Sequence, residues 1–317
     1  MLINFSEYIN QKEFDITNSL QEKLINYNNG AKYGQIVFLA GGAGSGKGFA
    51  ISNFMNSSDY KIRDVDELKL AFQRLDDLNI FTTEELLLKY KDKLSDADLK
   101  FIEDNVLAKG YSLRDLNLRT PEHVYALHVL VAATGVKDKT LDLLLGSSDR
   151  RNLPNIIFDT TFKDMKEIED TVPKLLEFGY QSKDIHITWV LTNYEIAIKN
   201  NAGRARVVPA DIMLKTHMGA AKTITALARG DLPSTINGGF YVVLNNPENT
   251  MFAVDPKTGK HYKTVKGNRV VTDFMYLTLK KPGKSMVNDA NVNKQLYSWI
   301  SSNVPKQVLS DIAMDDL

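Results

Sequence analysis

The chain has no cysteine. This excludes disulfides, thiolate metal sites and cysteine nucleophiles, and fits a reducing compartment. Neither sign of charge is in excess: 39 basic residues cancel 39 acidic ones. No net field therefore draws the protein onto nucleic acid or anionic lipid, and any such contact has to be local. No run reaches the roughly 18 apolar residues that a membrane span needs. The opening MLINFSEYINQKEFD has acidic residues early and no apolar targeting core, so the chain reads as cytoplasmic, with no membrane partner. Histidine is sparse and unclustered. His123 and His128 lie five apart, while His186, His217 and His261 are isolated, so zinc chemistry has no support.

What is present is the balance of a globular protein, 43% hydrophobic and 25% charged over 317 residues. That length suits one large α/β unit with insertions. Residues 5–28 carry apolar positions at roughly helical spacing and end at Asn28-Asn29-Gly30, a helical preface. Gln35-Ile36-Val37-Phe38-Leu39-Ala40 is a short apolar run stopped by glycine, the pattern of a strand buried on both faces of a parallel sheet. Further strands are expected at Tyr60–Val65, Asn155–Asp159 and Ile185–Leu191, with a helix over Met165–Phe178 forming a parallel crossover. Between about residues 70 and 150 the periodicity is helical, as in EELLLKYKDKL and HVYALHVLVAATG, and reads as an insertion. Beyond residue 232, FYVVLNN, MFAV, HYKTV and VVTDFMYLTL alternate with turns and predict an antiparallel β appendage, followed by a helix over Asn288–Ser302 and a fraying acidic tail. The expected division is a core over 1–232 and an appendage over 233–317.

Gly41-Gly42-Ala43-Gly44-Ser45-Gly46-Lys47 matches G-x-x-x-x-G-K, the Walker A motif, and stands between a predicted buried strand and a predicted helix over Gly48–Met55. Backbone N–H groups of such a loop converge on an anion, the helix start adds its dipole, and Lys47 reaches the β- and γ-phosphates. The expected fold is therefore α/β, a P-loop NTPase-type parallel sheet flanked by helices, and the expected ligands are ATP and Mg²⁺. Gly48 stands where Ser or Thr usually coordinates Mg²⁺. Either water, Ser45 or a carboxylate takes that place, or metal use is weakened and the site only binds nucleotide.

Phosphoryl transfer also needs a base, cations and an acid near the metal. Asp64 and Asp66 close the second strand, where open α/β sheets present ligands. Asp66 fits either a base or the N-cap of ELKLAFQRL. Asp159 ends the strand IIFD before Thr160 and Thr161, and suits a metal-bound water, a substrate hydroxyl or a loop cap. Arg204 and Arg206, in GRARVVP, suit a lid closing on phosphates or a solvated surface.

The order FLAGGAGSGKG, Asp-x-Asp-x-x-basic, IFDTTF, GRARVVP and then a helix with His217 resembles the zeta-toxin and polynucleotide-kinase-like branch of P-loop kinases over residues 35–225. The resemblance implies Lys47 on the phosphates, Asp66 as base, Lys69 where the family tends to use arginine, Asp159 and Thr161 facing the acceptor, and Arg204 and Arg206 as lid cations. Gly48 and Lys69 depart from the pattern.

Lys257, Lys260, Lys263, Lys266, Arg269, Lys280, Lys281 and Lys284, interleaved with Tyr262, Phe274 and Tyr276, form a local basic segment. It suits a nucleic-acid backbone with stacked bases, or a solvated hairpin whose lysines block edge pairing. Three readings follow: a kinase of a small nucleotide or nucleotide-sugar-like acceptor, a kinase of nucleic acid, and a non-catalytic ATP-binding interaction module.

Overall fold

Short apolar runs without turn residues become the sheet of this protein, seen in a computed structural model that describes residues 24–27, 32–78, 80–146, 148–149, 151–204, 206–263 and 269–312, without the side chains of Val65 and Asp66. Strands β1 (Ile36–Ala40), β2 (Tyr60–Asp64), β3 (Asn155–Asp159), β4 (Ile185–Leu191) and β5 (Phe240–Leu244) are mutually parallel, and β6 (Thr250–Phe252) and β7 (Val271–Lys280) extend the same sheet antiparallel. The order is β2-β3-β1-β4-β5-β7-β6 in one seven-stranded sheet. β1 lies between β3 and β4, and the chain leaves it for β2 on one side and reaches β4 on the other. The carboxyl end of β1 is thus a topological switch point, where such sheets hold ligands.

Period-two alternation sends the two side-chain sets of each strand to opposite faces. Ile36, Phe38 and Ala40 join Ile156, Phe158, Ile187, Trp189 and Val242 in the larger core. Val37, Leu39, Ile157, Val190 and Val243 face the other way, onto Ala50, Ile51 and Phe54 of helix α1 (Lys47–Asn53) and its C-cap. The larger face is covered by α7 (Lys166–Phe178), α9 (Ala210–Ala226) and α10 (Ala290–Asn303), and the short α11 (Lys306–Leu309) adds Val308.

The helical insertion is borne out as α2 (Val65–Asp77), α3 (Thr83–Tyr90), α4 (Asp96–Asn105), α5 (Pro121–Thr134) and α6 (Val136–Gly146). It builds a core of its own from residues such as Phe72, Leu86, Ile102, Val106, Leu127 and Leu130. Arg63 of β2 ties it to the sheet, donating to the Lys137 carbonyl while its guanidinium lies 5.6 Å from the centre of the Phe158 ring.

The stretch after residue 232 differs from expectation in one strand. Phe240–Leu244 pairs parallel with β4 and is buried at all five positions, so it is a strand of the core rather than of an antiparallel appendage. Its run FYVVL has the same double-sided burial as β1, and its position is set by β4, not by the turn that follows. The antiparallel extension is β7 and β6. His261–Lys263, expected as part of a strand, makes only isolated bridges. The preface over 5–23, Lys266 and the last residues of the acidic tail lie outside the described residues.

Candidate functional site

Between the end of β1 and Lys47, the chain turns through Gly44 and Gly46 at φ +77° and +81°, a left-handed backbone that disfavours a side chain. The helix then begins at once, with Gly46 as its N-cap. The backbone carbonyls from Gly41 to Ser45 each have a donor. Gly41 O accepts from Lys47 Nζ (2.8 Å), Gly42 O from the Ser45 N–H (3.2 Å) and Ala43 O from His217 Nε2 (2.8 Å). Gly44 O accepts from Asn200 Nδ2 (3.1 Å), and Ser45 O from both Thr192 Oγ1 (2.6 Å) and Asn245 Nδ2 (2.8 Å). In a trans peptide the C=O and the following N–H point in opposite directions. Drawing Ala43 O and Ser45 O onto the body of the protein therefore turns the N–H groups of Gly44 and Gly46 the other way, to the open side of the loop. Backbone N–H groups aimed together beside a helix start make an anion cradle.

The fit of a polyphosphate is supported by a second feature. Ser45 is buried, and among the described residues its hydroxyl has no hydrogen-bond partner. Such a group costs about 1–3 kcal/mol unless something supplies its bond.

Lys47 Nζ also lies 3.4 Å from Asp159 Oδ1, and both side chains are largely buried. Asp159 ends β3 directly beside Asp64, its partner across the β2–β3 ladder. Adjacent strands stand about 4.8 Å apart, so two carboxylates share the sheet face that carries α1 and the lysine. Thr160 and Thr161 follow, partly buried, and Phe162 is held at φ +53°, rare for a bulky residue. That loop is gripped by α9, where Gly219 lets Lys163 approach so closely that a Cβ would lie 2.5 Å from its carbonyl oxygen.

Asp66 falls in the first turn of α2, immediately after β2, and its side chain is not among those described. Lys69, one turn on, is buried at 6% exposure. At Gly48, which is exposed, a Cβ would meet nothing within 4 Å. The missing hydroxyl at this position is therefore not forced by crowding.

The arginine loop follows α8 (Tyr194–Ala202). Asn201 spans it, donating to Val208 O (2.8 Å) and accepting from the Val208 N–H (3.0 Å). From the insertion, Arg119 donates to Arg204 O (2.8 Å) and Ala202 O (3.1 Å), and Leu118 O accepts from the Val207 N–H (3.1 Å). Arg204 is exposed and Arg206 partly so. Val208, Ala197 and Met213 pack with Ala43, so the loop's far end rests on the glycine turn itself. The loop thus touches both the glycine turn and the insertion.

Away from this edge, Lys280 leaves the expected basic segment. It is buried and donates to Asn237 O and Oδ1 (3.1 and 2.7 Å), closing the end of β7 onto the loop before β5. Lys257, Lys260, Lys263, Arg269, Lys281 and Lys284 remain exposed.

Thr192, Asn200 and Asn245 are residues that sequence reasoning left without a role at this site, and His217 was placed only on the helix after the arginine loop. A signal existed for two of them. The strands end VLTN and VLNN, polar residues at the carboxyl edge of parallel strands, where ligand sites form. Nothing in the spacing points to Asn200 or His217.

Burial lowers the His217 pKa to about 4, with the Lys47 charge acting in the same direction and the hydrogen bond to Ala43 against it. His186, buried and near Lys280, is lowered to about 3. In the unfolded chain both sit near 6.5. Below pH 6.5 the unfolded state therefore takes up protons that the folded state refuses, so stability falls as pH drops from about 6.5 toward 4. Each tenfold fall in proton affinity is worth about 1.4 kcal/mol, so the loss for the two imidazoles is on the order of several kcal/mol. Urea midpoints between pH 7 and 4 should show it, and His217→Phe should flatten the slope; a midpoint independent of pH would contradict it.

No family model and no curated protein matches the chain. Among solved structures it is similar to one from the PezAT chromosomal toxin–antitoxin system of Streptococcus pneumoniae, at 12% identity over 77% of this chain and 80% of that one, with a TM-score of 0.36. It is also similar to the AvrRxo1-ORF1:AvrRxo1-ORF2 complex, solved with sulphate ions at 11% identity and with ATP at 10%, each over 98% of this chain and 84% of that one, with a TM-score of 0.39.

Proposed function

We propose that this protein is an ATP-dependent phosphotransferase that carries the γ-phosphoryl group to a hydroxyl of a small nucleotide or nucleotide-sugar-like acceptor. The observation that supports this most is the turn around Lys47, whose carbonyls are held onto the body of the protein while its lysine stands between the loop and Asp159. Binding alone would need the cradle. A pair of carboxylates at the neighbouring strand ends is what transfer adds.

In this reading the acceptor oxygen bonds to the γ-phosphorus as the bond to the β,γ-bridging oxygen breaks, ADP leaves, and the acceptor proton passes to Asp66. Lys47 and the Gly44 and Gly46 N–H groups hold the polyphosphate, and Lys47 follows the charge that develops on it. Asp64, Lys69 and Thr161 border the acceptor. Arg204 and Arg206 come over the phosphates from a loop that Arg119 fastens to the insertion. Mg²⁺, when bound, neutralises phosphate charge. Asp159 would hold it, through water, since position 48 offers no hydroxyl.

Purified protein incubated with γ-labelled ATP and a panel of nucleotides, sugar nucleotides, DNA and RNA tests the assignment. Label is expected on a small acceptor. Asp66→Asn should leave ATP affinity within about threefold and cut transfer by roughly 10²–10⁴. Unchanged transfer would return Asp66 to a helix cap. The exposed Lys257, Lys260, Lys263 and Arg269 beside Tyr262 favour a second reading, a nucleic-acid kinase, and a salt-dependent gel shift with labelled DNA or RNA would select it. ATP binding without turnover of any acceptor would leave an interaction module.

A further inference from the structure

We propose that His217 is the positioning residue of the phosphate cradle, holding the Ala43–Gly44 peptide so that the Gly44 N–H faces the anion. The inference rests on the cradle assigned above and names the group that sets it. Three contacts converge. Nε2 lies 2.8 Å from Ala43 O. The ring lies against Gly42, so closely that a Cβ there would come within 2.2 Å of Cδ2. Tyr194 closes the outer side at 5.2 Å between ring centres, edge to face. With only 7% of the residue exposed, the imidazole has no room to swing away.

The hydrogen bond also fixes the chemistry of the ring. Ala43 O can only accept, so Nε2 carries the proton and His217 acts as a donor. A ring wedged on Gly42 that donates to the next carbonyl removes the freedom of that peptide to flip. A flip would aim the Ala43 carbonyl, rather than the Gly44 N–H, at a phosphate. The neighbouring peptides have their own anchors in Asn200, Thr192 and Asn245, and His217 supplies this one.

The position of His217 in the chain adds a link. It lies on α9, which starts directly after the arginine loop at Pro209. Two residues on, Gly219 meets the Lys163 backbone in the loop after Asp159. One helix therefore registers the phosphate turn, the arginine loop and the loop after β3 together.

Calorimetric titration of a non-hydrolysable ATP analogue into wild type, His217→Phe and His217→Gln, with urea midpoints for each, tests the role without any acceptor. Phe keeps a ring and loses the donor, and affinity is expected to fall about tenfold or more, the order of one hydrogen bond to a charged site. Gln restores an N–H donor of similar reach and should recover affinity to within about threefold of wild type. A merely structural histidine would give losses that follow the urea midpoint and no rescue. If His217→Phe does not fold, His217→Met, similar in reach and without a donor, replaces it in the same comparison. Wild type binding with Phe or Met equal to it, or Gln as weak as Phe, overturns the positioning role alone. Wild type that does not bind the analogue overturns the cradle, and this inference with it.

Discussion

Lys47→Ala is expected to lower kcat for phosphoryl transfer by about 10²–10³-fold, the scale seen when one group aimed at developing charge is removed. The expectation follows from the place of the ammonium. It is anchored at one end of the turn on Gly41 O and drawn by Asp159 to the sheet edge, so it needs no rearrangement to meet a polyphosphate lying along the loop. Alanine removes that cation from a largely buried position where solvent does little to replace it. ATP affinity should fall as well, because the proposed site has the lysine contacting phosphates before transfer begins. Single-turnover rates and calorimetric affinity together separate the two losses. Normal affinity and rate in the variant would mean that the turn does not hold phosphate.

Gly44→Ala should cost both fold stability and nucleotide binding. At φ +77° an alanine enters the left-handed region, at about 1–2 kcal/mol. Its Cβ would also stand 2.2 Å from the Ala197 carbonyl oxygen and 3.0 Å from the carbon. Those are backbone atoms in α8, which cannot rotate aside as a side chain would. The helix or the turn must move, at a further cost of roughly 1–3 kcal/mol. Either movement strains the Asn200 bond to Gly44 O and the packing of Ala197 against Ala43. A lower urea midpoint and no measurable ATP binding are expected. A variant that binds ATP like wild type would show that α8 does not brace the cradle.

Much of the core was legible because its signals are local. A continuous apolar run bounded by glycine is hard to place anywhere but inside a parallel sheet, and β1, β3 and β4 fall within a residue of their expected limits. The helical insertion was legible for a similar reason, since its periodicity repeats within each helix. Phe240–Leu244 was read with its antiparallel neighbours because hairpin-like turns follow it, and local pattern does not say which strand pairs with which. Lys280 was grouped with exposed lysines by proximity in sequence, although the loop at Asn237 encloses it.

The sequence by itself determined that a glycine-rich turn joins a buried strand to a helix, because glycine freedom, strand burial and helix start are properties of adjacent residues. It also determined that carboxylates and arginines lie near strand ends and loops. Only the tertiary structure decided that Thr192, Asn200, His217 and Asn245, which lie between 147 and 200 residues away from the carbonyls they reach, hold that turn open. Hydrogen bonds across such separations depend on how strands order in the sheet and how helices dock on it, and no spacing along the chain encodes them.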